Sequence, residues 1–430
     1  MEVREVSARY MLAAEPANDA VPPGYKRTEV GMIPEDWKAR TLASLGSFSK
    51  GQGIRKNEAA SGNLPCIRYG EIYTHHNDIV RSYNSYISPA VARTSKRLSK
   101  GDILFAGSGE TKEEIGKAVA YIGGGEAYAG GDIVILSPRS ESSDFLGYVL
   151  NSPIATKQKA SKGQGDAVVH ISATALGAVV IPVPPLPEQR AIAEALSDAD
   201  AMIESLERLI AKKRAIKQGA MQELLTGKTR LPGFSGEWVV KRLGDVADTD
   251  PENLGTGTSS DFLFNYIALE DVDRGMLRGY SEQKFAWAPS RARRKLREKD
   301  FLVSTVRPNL QSHLLFSKDV GNWVCSTGFC VVRCRQGVTQ PDYLFAHLFT
   351  VAISRQIDAL LTGSNYPAIN SGDVRALEIP IPPLDEQSAI AAVLTDMDAE
   401  LSALEARLTK TRALKQGMMQ ALLTGRIRLV

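Results

Sequence analysis

The chain has 430 residues, 43% of them hydrophobic and 23% charged, and a formal net charge of +3 at pH 7. That length and apolar content suffice for two or three domains with cores of their own and exclude a fibrous or disordered class. A nearly balanced charge makes the whole-protein field a weak argument for nucleic acid, so any contact with DNA requires locally concentrated cations.

The apolar stretches are broken by Pro, Gly or charge well short of the roughly 18 residues a membrane span needs, and no charged-then-apolar leader is visible. The expectation is a cytoplasmic protein with no membrane partner. Cys66, Cys325, Cys330 and Cys334 are too few and too unevenly spread for a disulfide framework and offer no Cys-x-x-Cys zinc pair. They read as reduced, mostly buried thiols.

Residues 1–23 read as a loose tail. A first domain follows over 24–180, where short β-branched runs between Gly, Pro and Ser turns predict a compact α+β unit. Lys50, Gln52 and Arg55 occupy a glycine-rich turn, Arg68 and Tyr69 follow a second strand-like run, and Ser108, Glu110 and Lys112 follow the apolar DILF run. Basic groups suit phosphate, and Gln, Ser, Arg and Glu can read base edges; the plain alternative is a set of solvated turns. Lys157, Lys159, Lys162, Gln164 and His170 form another basic stretch, with glycines that let a backbone approach phosphate, or else a helix end whose lysines face water. His75 and His76 are adjacent, so a strand would point them to opposite faces, unsuited to sharing a metal.

Residues 181–232 open on Pro182, Pro184 and Pro185, a stiff entry that withholds amide donors. A long helix should start at once, because Glu188 and Gln189 suit a first turn, and Gly227 suits a left-handed cap at its end. Ile192, Leu196, Ala199, Ile203, Leu206 and Ile210 alternate steps of four and three, a coiled-coil seam. Lys213 and Lys217 interrupt it before Leu224 and Leu225, which read as core. A helix of this length would extend close to 60 Å at about 1.5 Å per residue. Lys212, Lys213, Arg214 and Lys217 suit the helix dipole, with partner subunits or phosphate as the alternative.

The second domain, 233–378, is again expected to be α+β, with a helical stretch over Asp342 to Leu361. Arg291, Arg293, Arg294, Lys295 and Arg297 form the densest basic run in the chain, a natural phosphate grip or else a solvated face. Reversing Arg293, Arg294 and Lys295 to Glu is expected to abolish salt-sensitive DNA binding. Arg307, Asn309 and Gln311 follow the FLVST strand and carry chemistry suited to guanine or adenine edges, unless they simply build a turn around Pro308. Thr362, Gly363, Ser364, Asn365 and Tyr366 are the counterpart of the basic stretch that ends the first domain, so Asn365 and Tyr366 join the DNA candidates.

Residues 379–430 repeat 181–232 with an offset of 198 (379 − 181) and no gap. Roughly 30 of about 52 aligned positions are identical, so the chain is a duplication of one unit and not a solenoid. The second seam runs through Ile390, Leu394, Met397, Leu401, Leu404 and Leu408, is broken by Thr411 and Lys415, and resumes at Leu422. Lys410, Arg412 and Lys415 repeat the basic residues near the helix end, and Gly425 repeats the cap. Weaker echoes pair Trp37 with Trp238, Asp102-Ile103-Leu104 with Asp300-Phe301-Leu302, and Ile171-Ser172 with Ile369-Asn370. If the halves obey a pseudo-twofold, the helices run antiparallel and Val430 returns to the start of the chain. The likeness of TEVGMIPEDW (28–37) to TRLPGFSGEW (229–238) favours that closure.

The block LPEQRAIAEALSDADAMIESLERLIAKKRAIKQGAMQELLTG, followed by a Trp-containing lead-in, resembles the constant region of Type I restriction-modification specificity subunits. The likeness covers both halves; GDILFAGSGE and LVSTVRPNL are similar to patterns of the variable domains. The resemblance implies two target recognition domains, each reading one half of a bipartite, asymmetric site on double-stranded DNA. It implies helices that space the domains and dock two modification (methyltransferase) subunits, with restriction (translocase-nuclease) subunits in the full complex.

No Gly-x-x-x-x-Gly-Lys-Ser/Thr loop, dinucleotide-type glycine motif or Asn/Asp-Pro-Pro-aromatic signature occurs. The expectation is therefore no catalytic residue, metal or cofactor on this chain, with S-adenosylmethionine, ATP and magnesium on partner subunits. A coiled-coil scaffold that grips proteins and not DNA is the alternative. A third reading joins Asp273, Glu282 and Lys284 into a nuclease site, a spacing that arises easily by chance.

Overall fold

Two units of the same construction arise from the duplication: one takes the chain up to Ser205 and again from Leu408, the other takes Leu206–Arg407. Each long helix is divided between the two units. The computed structural model describes residues 21–165, 167–363 and 367–429. Asn365 and Tyr366 lie outside the described residues, as does most of the expected tail.

In the first unit an antiparallel sheet orders Ala118–Ala120, Ile103–Ala106, Ile133–Pro138 and Gly46–Lys50. A second sheet orders Ser85–Ile87, Leu64–Ile67, Tyr128–Ala129 and Lys96–Arg97, with one parallel pair, Leu64–Ile67 beside Tyr128–Ala129. The apolar ILFA run is a central strand buried on both faces. Ile103 and Phe105 enter one core, while Leu104 and Ala106 enter another, as a period of two requires.

The second unit repeats this topology strand for strand. Leu314–Leu315, Phe301–Ser304, Phe329–Cys334 and Ala247–Thr249 form its first sheet. Ser281–Lys284, Leu263–Ile267, Trp323–Ser326 and Ala292–Leu296 form its second, with the parallel pair again in the middle. Phe301 and Val303 face one core and Leu302 the other. The expected helix over 342–361 is two helices, Pro341–His347 and Val351–Leu360, because the Thr350 side chain caps the second and breaks the run.

Both long helices span 39 residues, Leu186–Leu224 and Leu384–Leu422, and Gly227 and Gly425 follow with φ of 70° and 72°. The seam positions are buried or half-buried, but their first members belong to domain cores. Ile192 and Leu196 share a core with Leu422 and Leu423, and Ile390 and Leu394 share one with Leu224 and Leu225.

The lysines that interrupt the seam are ion-paired across it. In the second unit Lys217 meets Asp398, and Lys213 lies 2.7 Å from Glu400. The later residue of one helix meets the earlier residue of the other, so the segments are antiparallel. In the first unit Lys415 lies 2.7 Å from both Asp200 and Asp78. Lys217 and Lys415 thus each meet the aspartate that the duplication supplies on the opposite helix, which fixes register where a purely apolar seam would not.

The first-turn residues also do more than answer the dipole. Glu188 is buried and accepts from Trp37 Nε1 at 2.9 Å and Arg428 Nε at 2.6 Å. Glu386 accepts from Trp238 Nε1 at 3.1 Å and Arg230 Nε at 2.5 Å in the second unit. Arg428 also reaches Asp36 at 2.7 Å and Tyr25 donates to Gly425 O at 2.9 Å, so the chain's end returns to its beginning as the repeat predicts. Among the described residues no helix is long and apolar enough to cross a membrane. All four cysteines are free thiols; Cys66, Cys325 and Cys330 are buried, and burial pushes Cys66 up to about 12.

Candidate nucleic-acid interface

In the first domain the glycine-rich turn forms because two backbones cross there. Gly51 N donates to Ile133 O at 2.8 Å, Gln52 N to Ala129 O at 3.1 Å, and Gly131 N to Gly53 O at 3.0 Å. A Cβ on Gly51 would stand 1.9 Å from Gly130 O, so only glycine fits. The crossing sets Lys50 at the rim of a cleft of about 320 Å³, which Ser108, Asp132, Lys162, Gln164 and His170 also line. Five candidates from three separate stretches of sequence thus converge.

Lys50 lies 3.9 Å from Asp132, and Ser108 Oγ lies 2.9 Å from His170 Nδ1. Ser108 is buried and serves to hold His170, which stands exposed, so His170 is the side of that pair a ligand meets. Gln52, Arg55 and Tyr69 are exposed, as are Glu110 and Lys112 on the loop beyond Ser108. Arg68 is half-buried and bonded to Glu71 at 3.2 Å, which ties it to the fold. Lys159, named within the basic stretch, faces inward, and burial pulls its ammonium down to about 7.

In the second domain the basic run is the edge strand Ala292–Leu296 and its flanks, and three of its five cations are ion-paired inside the domain, to two carboxylates. Arg294 pairs with Asp250 and donates to Ser371 Oγ at 3.3 Å. Glu252 lies 3.3 Å from Lys295, 2.5 Å from Arg297 and 2.6 Å from Arg333. The Arg333 guanidinium, first among these cations, holds the Glu252 carboxyl below its ordinary range. Arg294 and Lys295, offered as phosphate contacts, are thus ion-paired within the domain, and reversing them would test folding as much as binding. Arg291 stands exposed, and Arg293 lies over the Phe285 ring at 5.0 Å.

Arg307, Asn309 and Gln311 sit on a strained turn around the buried Pro308. Arg307 and Gln311 are left-handed, with φ of 49° and 55°, a conformation that costs non-glycine residues of order 1 kcal/mol each. Arg307 N donates to Pro367 O at 2.8 Å and Ser304 Oγ to Val306 O at 2.8 Å, which hold the turn and leave Arg307 and Asn309 exposed. Gln311 is half-buried, its Nε2 3.4 Å from Ser354 Oγ. The turn links to the basic strand through Thr327 and Gly328: Thr327 N donates to Arg291 O at 2.8 Å, and Thr305 N to Gly328 O at 2.9 Å.

A family model described as the Type I restriction modification DNA specificity domain matches residues 34–213 and again 235–412. The chain belongs to that family. It is similar to the EcoKI type I restriction enzyme specificity subunit of Escherichia coli K12, 22% identical across 93% of this chain and 90% of that one. It is also similar to a Methanocaldococcus jannaschii protein provisionally named the MjaX type I restriction enzyme specificity subunit, 26% identical across 94% and 96%. Among solved structures, the type I restriction-modification S subunit of M. genitalium shares the fold with a TM-score of 0.60 at 15% identity, covering 91% of this chain and 96% of that one. A chain from a structure concerned with complex assembly and conformational transition of the type I R-M system gives 0.53 at 19% identity, covering 92% and 99%.

As a type I specificity subunit the chain carries two target recognition domains, and their shared topology exposes residues that a linear reading misses. The strand Lys96–Arg97 is the counterpart of Ala292–Leu296, and SKRLSKGD (95–102) aligns with RRKLREKD (293–300) at the repeat offset of 198 (293 − 95). Arg93, Lys96, Arg97 and Lys100 are exposed, and none has an ion-pair partner among the described residues. The repeat offset was the signal that could have found them. Of the three nuclease candidates, Asp273 is bonded to Arg278 at 2.9 Å and Lys284 is paired with Asp261.

Proposed function

We propose that this specificity subunit reads a bipartite, asymmetric site on double-stranded DNA, one half through each target recognition domain, without catalysing a reaction itself. The observation that carries the reading is one scaffold built twice with different residues at its contact loops. A cleft lined by Lys50, Lys162, Gln164 and His170 in one domain is matched by a turn bearing Arg307 and Asn309 in the other. Two unlike readers imply two unlike half-sites. The helix pair spaces the domains and docks two modification subunits, with restriction subunits completing the assembly in the cytoplasm. S-adenosylmethionine, ATP and magnesium act on those partners.

Mapping methylated adenines in cells with and without this chain tests the reading, since it returns both half-sites and their gap together. An unchanged methylation map would favour a scaffold that grips proteins. Inserting one turn into each long helix, about 5.4 Å, should widen the gap by one or two base pairs, at about 3.4 Å each, and leave the half-site letters alone. An unchanged gap would remove the helices as spacers.

Charge reversal should be confined to Arg291 and Arg307, which are exposed. The double variant should bind duplex DNA at least tenfold more weakly and lower the salt slope by about two, roughly one per lost phosphate contact. A slope equal to the wild type's would take these arginines off the phosphates.

A further inference from the structure

Four tryptophans occur in the chain. Trp37 and Trp323 are buried and Trp238 is half-buried in its pairing with Glu386, whereas Trp287 is 79% exposed. A flexible loop would explain such exposure trivially, but this turn is held: Phe285 N donates to Phe262 O at 2.9 Å and Ala286 N to Ser260 O at 3.0 Å. Phe285 packs against the small core beneath, and Trp287 is presented outward from it.

Around it stand three cations, Lys284, Arg291 and Arg293, with one carboxylate, Asp261, paired to Lys284. Lys284 Nζ lies 5.0 Å from the Trp287 ring centroid, covering one face of the indole, and Arg293 lies 5.0 Å over Phe285. The exposed Arg291 follows four residues on, and its carbonyl accepts from Thr327, which adjoins the Gly328 anchor of the Arg307 turn. The indole therefore stands beside Arg291 and Arg293, two of the DNA candidates of the second domain. The first domain places the helix Pro89–Ala92 at the equivalent point, after its strand Ser85–Ile87, with no aromatic residue there. A shared scaffold that differs here differs where the two half-sites would be told apart.

We propose that Trp287 lays the open face of its indole against the bases of the duplex at the half-site read by the second domain, with Arg291 and Arg293 on the flanking phosphates. Aromatic side chains stack on bases or wedge between base steps at comparable surfaces, and cations beside them fit a polyanion and not an acidic-free protein groove. The inference rests on the reading of this domain as a DNA reader.

The test uses the full chain and a duplex bearing the mapped site, with binding followed by anisotropy and Trp287 followed by acrylamide quenching of tryptophan fluorescence. Trp287→Ala should weaken binding about five- to a hundredfold, Trp287→Phe should recover much of it, and bound duplex should shield the quencher-accessible fluorescence. Binding of Trp287→Ala within twofold of wild type, or bound duplex that leaves quenching unchanged, overturns the proposal while leaving the DNA reading standing. Shielding by a modification subunit without DNA reassigns the indole to protein docking and also overturns it. A wild-type chain that shows no binding by anisotropy removes the reading and the inference together.

Discussion

Replacing Lys415 with alanine should cost the first unit about 3–5 kcal/mol, the range for breaking one partner out of a buried ion pair. Its side chain is 13% exposed, Asp78 10% and Asp200 18%, and its Nζ lies 2.7 Å from both carboxylates. Tyr148 adds a hydroxyl donated to Asp200 at 2.8 Å, and its ring lies 5.3 Å from the ammonium. Without that cation the two carboxylates remain together with little water to screen them, and among the described residues only Arg81, 3.7 Å from Asp200, is left as a counter-charge in an ion pair with either. The duplication supplies a control: Lys217 is 24% exposed, but its partner Asp398 is 57% exposed, so Lys217→Ala should cost about 1 kcal/mol or less. Urea unfolding of the full chain, followed by a probe in each unit, measures both losses. Equal losses would show that burial does not decide the difference.

The stability of the first unit should rise with pH between about 7 and 10.5, and Lys159→Met should flatten that rise. Lys159 is 1% exposed and donates to the carbonyls of Gly116 and Leu150 at 2.6 and 2.8 Å, and burial alone brings its ammonium from 10.5 to about 7. Between those values the unfolded chain holds the proton and the folded chain does not, so folding releases it and higher pH favours the folded state. Below about 7 both states are charged, and the full cost of burying the ammonium is present. The methionine variant should therefore be more stable at neutral pH by a few kcal/mol at most, less the two carbonyl bonds it forfeits. Thermal melts from pH 6 to 10 decide it; a wild-type profile no steeper than the variant's would mean that Lys159 keeps its proton throughout.

The duplication, the length of the two helices and the α+β character of the domains were legible because they depend on local periodicity and self-similarity. What escaped depends on partners remote in sequence. Lys217 and Lys415 looked like defects in a seam until Asp398 and Asp200 were seen opposite them. The basic run at 291–297 reads as a free grip in the sequence because Asp250 and Glu252, which pair with three of its five cations, lie some forty residues upstream. Its counterpart around Lys96–Arg97 is harder to see in the sequence because the four cations Arg93, Lys96, Arg97 and Lys100 are diluted among Thr, Ser and Leu. Trp287 drew no notice, since exposure is a property of the folded surface. The convergence of Lys50, Lys162 and His170 on one cleft required the backbone crossing at Gly51 and Gly130, which no single stretch of sequence announces.

The bond between Arg428 and Asp36 joins residues 392 positions apart. Synthesis runs from the amino end, and domains commonly fold as they emerge. Here Trp37 and Glu188 wait for Arg428, which is made only after the whole second domain, whereas Trp238 and Glu386 have their arginine, Arg230, already made. The unit made earlier is thus completed after the later one, and a chain interrupted before Arg428 is injured in the unit whose synthesis began first.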